Sequence, residues 1–151
     1  MKNIPDMSFA VIDDMQAVRA LVRDNLSQLG VKRVEYFSDG KGALQRFQGI
    51  AGVESINKID FIISDWNMPK TKGIEVLRWV RGSEVYRNVP FMMLTAEADV
   101  ALVKEAIEAD VDSYIVKPWS AESFERGLKT ALKNRAEKIE AGKVNIVYRD
   151  S

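Results

Sequence analysis

Short apolar runs alternate with longer stretches whose apolar positions recur at helical spacing. Ser8–Ile12, Val34–Phe37, Ile59–Ser64, Pro90–Leu94 and Ser113–Val116 have strand length and are bounded by turn or polar residues. Between the first two, Met15–Leu29 places Val18, Leu21, Val22, Leu26 and Leu29 at helical spacing, and Gly30 is a fitting stop. Asp39-Gly40 turns the chain into a helix marked by Ala43, Leu44 and Phe47. Gly73–Arg81 carries Val76, Leu77 and Val80 inward and is ended by Gly82. Asp99–Ala109 reads as a helix capped near Glu97–Asp99. Ser120 caps a last helix with Phe124, Leu128, Ala131 and Leu132 inward. Gly49 to Asp60 reads as a looser connection with two glycines.

Strands separated by helices mean βαβ units, right-handed crossovers and a mostly parallel sheet covered on both faces. The expected fold is therefore a doubly wound α/β domain. Five strands suit the flavodoxin-like order 2-1-3-4-5. A length of 151 residues fits one domain, expected over residues 1–135. Residues 136–151 read as an extension of the last helix and a tail. Glu137-Lys138-Ile139-Glu140 prolongs the helix, Gly142 breaks it, and Val144–Tyr148 reads as a short strand or a sticky tail. That tail either frays or adds a strand to a sheet edge, of this chain or of another.

Two absences narrow the chemistry. Without Cys there is no thiolate nucleophile, disulfide or Cys-ligated metal; without His there is no Ser-His-Asp triad and no His-ligated metal. Metal chemistry must then use oxygen ligands, which points to magnesium, calcium or manganese. A formal net charge of zero argues against a nucleic-acid-binding module. No signal-peptide pattern or long apolar segment is present, so a cytoplasmic protein without membrane insertion is expected.

In a parallel doubly wound sheet every strand's carboxyl end lies on one edge, where sites form. Asp13-Asp14, Asp65, Thr95 and Lys117 all end or follow strands there. Carboxylates crowded on that edge repel one another, and a hard divalent cation relieves them. With a lysine charge and a hydroxyl donor added, the set suits a phosphoryl group, and Asp is a known nucleophile for its transfer.

The segments Ile12-Asp13-Asp14, Ser64-Asp65-Trp66-Asn67-Met68-Pro69, Leu94-Thr95-Ala96-Glu97-Ala98 and Tyr114-Ile115-Val116-Lys117-Pro118 resemble the receiver domain of bacterial response regulators. Within that family they are most similar to its stand-alone chemotaxis members. The resemblance spans about Asp6 to Arg135, and its separated motifs are jointly specific. It implies that Asp65 is the phosphoacceptor for a histidine kinase. It implies magnesium, or manganese, on Asp14, Asp65 and the backbone carbonyl of Asn67, with Asp13 acting through water. Lys117, Thr95 and the backbone N–H groups of Asn67 and Ala96 would hold the phosphoryl oxygens. Thr95 and Tyr114 would form the switch that alters the face of the fourth helix, fifth strand and fifth helix for a downstream target protein. The side chains of Asn67 and Glu97 would also influence how fast the phosphoryl group is lost to water. The bond before Pro118 would be cis. The implied activity is that of a phosphoacceptor rather than a turnover enzyme, in chemotaxis or flagellar-motor control, with no direct DNA binding.

Each residue also has a plainer reading. Asp13-Asp14 suits a helix N-cap, Thr95 a strand-end cap, Lys117-Pro118 a turn, and Tyr114 a half-buried strand aromatic. Trp66, Trp79 and Trp119 read as packing or partner contacts, Trp66 alone abutting the site, where its fluorescence would report metal binding. Asp110 stands where the family has Gly, and Trp119 where it has Phe. If Asp110 is left-handed, Asp tolerates that conformation better than most residues but less well than Gly. Rival readings are a receiver of a non-motility pathway or a phosphorelay intermediate. More remote are a haloacid dehalogenase-type phosphatase, whose nucleophile ends the first strand, and a flavodoxin-like flavin binder, whose phosphate Asp13-Asp14 would repel.

Overall fold

The computed structural model describes residues 2–49, 58–96 and 100–150, with side chains through residue 142. In chain order the elements are β1 (Ser8–Ile12), α1 (Gln16–Gln28), β2 (Arg33–Phe37), α2 (Gly40–Gln48) and β3 (Phe61–Asp65). They continue as α3 (Gly73–Gly82), β4 (Phe91–Thr95), α4 (Val100–Glu108), β5 (Ser113–Val116) and α5 (Ala121–Asp150). The strands pair in parallel in the order β2-β1-β3-β4-β5, as the alternation predicts.

Period-two alternation splits the core in two. Phe9, Val11, Phe61, Ile63, Met92 and Leu94 face α1 and α5, where Val22, Leu26, Phe124 and Leu128 meet them. Ala10, Ile12, Ile62 and Met93 face the other way, against Val76, Leu77, Val80 and Ala106 of α3 and α4. The central strands β3 and β4 are buried at every position, which is why they read as unbroken apolar runs. The edge strand β5 alternates buried and exposed residues.

Helix termini follow local chemistry. Asp39 accepts the Gly42 N–H at 2.7 Å and starts α2. Ser120 Oγ accepts the Ser123 N–H at 3.1 Å and starts α5. The N-cap of α1 is Met15, with no side-chain cap, so Asp13 and Asp14 are not used to cap that helix. A Cβ at Gly73 would collide with the Asp65 carbonyl, so only glycine lets α3 begin this close to the end of β3.

The tail corrects the expectation in two respects. Gly142 does not break the last helix, and Val144–Tyr148 is not a strand: α5 runs unbroken to Asp150. An interior glycine costs a helix only about 1 kcal/mol relative to alanine, too little by itself to end one. A five-residue apolar run cannot by itself distinguish strand from helix, and here the helix satisfies its own backbone. The expected cap at Glu97–Asp99 and most of the connection from Gly49 to Asp60 fall outside the described residues. Asp110 is left-handed, at φ 71°, as its place in a family glycine position anticipates.

Candidate functional site

Parallel register carries the predicted residues to one edge. Ile12 pairs with Ser64, Asp65 with Leu94, and Thr95 with Val116. Asp13, Asp65, Thr95 and Lys117 are therefore neighbours in space despite their separation in sequence. Carboxylate oxygens of Asp13, Asp14 and Asp65 all lie within 4.8 Å of one another. Lys117 Nζ donates to Asp65 Oδ1 at 3.0 Å and to Asp13 Oδ2 at 3.1 Å. Its main chain is fixed by a 2.7 Å bond from its N–H to the Thr95 carbonyl, and the following bond to Pro118 is cis.

The acidic residues differ in exposure and partners. Asp13 is fully buried and both its carboxyl oxygens are engaged, Oδ1 by the Met15 N–H at 2.9 Å and Oδ2 by Lys117. Asp65 is buried with one oxygen on Lys117, and the Asn67 backbone also donates to it. Asp14 is exposed, and no donor among the described residues reaches its carboxylate. Asp14 and Asp65 thus keep oxygen lone pairs for a ligand, while those of Asp13 are largely committed to the protein.

Electrostatics follow from that crowding. Burial, then the Asp13 charge, raises the Asp65 pKa above the usual carboxylate range, against the lowering influence of Lys117. Lys117 is pulled down by burial, but its hydrogen bonds to Asp65 and Asp13 outweigh this and hold its pKa above the ordinary value. The two directions are compatible: one ammonium between two buried carboxylates is itself well stabilised, yet cannot neutralise both. The donor set fits a hard divalent cation, because oxygen ligands and uncompensated negative charge are both present. Magnesium and manganese are among the ions such an oxygen set suits.

Thr95 is buried at the end of β4, and Tyr114 is half-exposed on β5. A narrow pocket walled by Trp66, Met93, Leu102 and Ala106 lies between them. Asn67 sits exposed just past Trp66, which follows the end of β3, and Ala96 sits exposed directly after β4. Glu97 lies outside the described residues. Trp66 is buried beside Asp65, Trp79 packs on Phe47 and Tyr86, and Trp119 donates to Asn25 Oδ1 at 2.8 Å. One residue that sequence reasoning missed is Arg19, whose Nη1 grips the Asp13 carbonyl at 2.6 Å. Its only signal is its place one turn into α1, which many surface arginines share.

The family model described as response regulator receiver domain matches residues 9–129. Chemotaxis protein CheY-3 of Vibrio cholerae is 33% identical over 123 residues, which is 82% of this chain and 89% of that protein. Chemotaxis protein CheY of Pseudomonas aeruginosa is 34% identical over 133 residues, 88% of this chain and 95% of that one. Among solved structures, chemotaxis response regulator CheY4 of Vibrio cholerae matches with a TM-score of 0.71 at 30% identity, covering 83% of this chain and 98% of the other. A signal receiver domain of an HD domain-containing protein from Pseudomonas fluorescens matches with a TM-score of 0.72 at 22% identity, covering 87% and 98%, a likeness of fold alone. No helix among the described residues is long and apolar enough to cross a membrane. A carboxylate cluster at the sheet edge, its lysine, the 2-1-3-4-5 sheet and these relatives agree: the chain belongs to the response regulator receiver domain family.

Proposed function

We propose that Asp65 accepts a phosphoryl group from the phosphohistidine of a kinase and that this switches a protein-docking face. The observation that carries the reading is Asp65 itself, buried, held by Lys117 at 3.0 Å and grouped with two further carboxylates. An Asp65 carboxylate oxygen attacks phosphorus; the new P–O bond forms as the P–N bond to histidine breaks, and the departing imidazole takes up a proton. Water later attacks the same phosphorus, the P–O bond to Asp65 breaks, and inorganic phosphate leaves. The domain thus promotes its own loading and unloading without a separate turnover substrate.

Asp14, Asp65 and the Asn67 carbonyl would hold magnesium, with Asp13 acting through water, and the ion would supply positive charge to the phosphoryl oxygens. Lys117 exchanges its hold on Asp65 for a phosphoryl oxygen, and Thr95 with the Asn67 and Ala96 N–H groups takes the others. Movement of Thr95 toward the phosphoryl group leaves room for Tyr114 in the pocket they share. That would alter the α4–β5–α5 face, where Val100, Ile107 and Tyr114 are exposed, for a target protein. The chemotaxis names of the curated relatives support chemotaxis or flagellar-motor control as the pathway. The position of Asp65 on β3 disfavours a phosphatase whose nucleophile ends the first strand.

Incubation with acetyl phosphate and magnesium, followed by intact mass, tests the chemistry. One labile adduct is expected, absent after chelation and absent in Asp65→Asn; an adduct that survives Asp65→Asn sinks the assignment. For the pathway, spreading in soft agar should be lost when Asp65→Asn replaces the natural protein.

A further inference from the structure

The two carboxylates that keep lone pairs for a cation are held in place by different means. Asp65 ends β3 and is fixed by the strand ladder; the Trp66 N–H after it donates to the Leu94 carbonyl at 2.8 Å. Asp14 lies in the turn of residues 13–15 between β1 and α1. Among the described residues, no hydrogen bond of its own main chain or side chain holds it. Its placement is inherited from Asp13, which is anchored on every side. The Asp13 N–H donates to the Phe37 carbonyl at 3.0 Å, and its carboxylate takes the Met15 N–H at 2.9 Å and Lys117 at 3.1 Å. Its carbonyl takes Arg19 Nη1 at 2.6 Å. That last bond bears most directly on Asp14. The Asp13 carbonyl and the Asp14 N–H share one rigid peptide plane, so fixing the plane restricts the direction in which the Asp14 side chain leaves the chain.

Helix stability does not account for Arg19. It is the fourth residue of α1, near the helix's positive end, where a cation is disfavoured. The first turn holds no acidic residue to offset it, and Arg19 forms no ion pair among the described residues. Its side chain is nonetheless half-buried rather than free in solvent, and a charged donor on a carbonyl makes a strong hydrogen bond. Its charge alone would work against a bound metal, because a positive group near the carboxylates repels a second cation. Position and charge therefore act in opposite directions, and the sign of the effect separates them.

We propose that Arg19 is a positioning residue of the cation site: by holding the Asp13 carbonyl it fixes the Asp13–Asp14 peptide and aims the Asp14 carboxylate toward Asp65. The inference rests on the reading of Asp14 and Asp65 as ligands to a divalent cation. It adds a contact from α1 to a site otherwise built from strand ends and the turns that follow them.

Titration of the full chain with manganese, followed by the electron paramagnetic resonance signal of the free ion, tests it. The wild type should deplete that signal. Arg19→Gln and Arg19→Met should each weaken manganese binding by about tenfold, at the low end of what loss of an outer-shell support costs, although each removes a positive charge. Circular dichroism in chelator should show both variants folded as the wild type is. A folded variant that binds manganese as tightly as the wild type, or more tightly, overturns the proposal and leaves the metal reading standing. Loss of folded structure in both variants also overturns it, because Arg19 would then be a structural residue. A wild type that leaves the free-ion signal unchanged overturns the metal reading and the proposal together.

Discussion

Two clusters of carboxylates and cations sit at opposite edges of the same sheet, and they are built to opposite ends. At the carboxyl edge, Asp13, Asp14 and Asp65 face one ammonium, Lys117. At the amino edge, Asp110 and Asp112 face Arg81, Arg135 and Lys138. Asp112 is fully buried and saturated: Arg81 Nη2 donates at 2.7 Å, the Phe91 N–H at 2.9 Å, Arg135 Nε at 3.0 Å and Lys138 at 3.2 Å. Arg135 Nη2 adds an ion pair with Asp110 at 2.8 Å, close but off the hydrogen-bond direction. Asp65 has its pKa raised by burial and a like charge, whereas Asp110, despite burial that raises it, is held below its usual value by Arg135 and Lys138. The first cluster lacks positive charge, which suits it to a divalent cation. The second has cations in excess of its carboxylates and serves as a clamp on α3, β5 and α5.

The largest effect should come from breaking the saturated cluster. Asp112→Ala strips buried guanidinium groups of their partner, a change that typically costs about 3–5 kcal/mol. Urea unfolding should show a loss of that order, whereas a loss under about 1 kcal/mol would mean the clamp is ornamental. Next, Lys117→Ala leaves the carboxylates of the site without a counter-charge. A loss of about 1–3 kcal/mol is expected in chelator, largely recovered in millimolar magnesium, together with loss of phosphoryl uptake. Recovery is the sharper readout, because no divalent ion should repair the Asp112 variant.

Asp65→Asn should move the other way. A raised folded pKa contributes stability that is present below the unfolded value and lost as pH rises through the folded one. At neutral pH Asp65 therefore weighs against the metal-free fold, and Asn removes that burden. Thermal unfolding in chelator should show a gain at pH 7 that shrinks toward zero below about pH 4; a loss at pH 7 would contradict the charge deficit. The smallest effect belongs to Asp110→Asn. A depressed folded pKa gives stability present above the unfolded value and lost as pH falls through the lower folded one. The side chain is 44% exposed, so solvent screening limits the loss at pH 7 to under about 1 kcal/mol. That difference should fade in acid, and its persistence at low pH would point to backbone strain rather than charge.

The same contrast explains what was legible. Asp65, Thr95 and Lys117 each end or follow an apolar run, so strand reading alone assigns them to one edge. Asp112 and Arg81 carry no such mark: 31 residues apart, they meet only because β4 and β5 pair. Arg135 carries no sequence mark of burial, yet the fold buries it. Val144–Tyr148 misled because a short β-branched run is ambiguous until its surroundings choose.

By itself, the sequence determined the order of elements, the parallel sheet and the exclusion of thiol and imidazole chemistry, because local periodicity and residue type carry that information. Tertiary structure alone decided that Lys117 bridges Asp13 and Asp65, that Asp14 keeps its oxygens open, and that α5 runs unbroken to Asp150 with Lys138 clamped on Asp110 and Asp112. Those facts depend on distances between residues far apart in the chain, which no local pattern encodes.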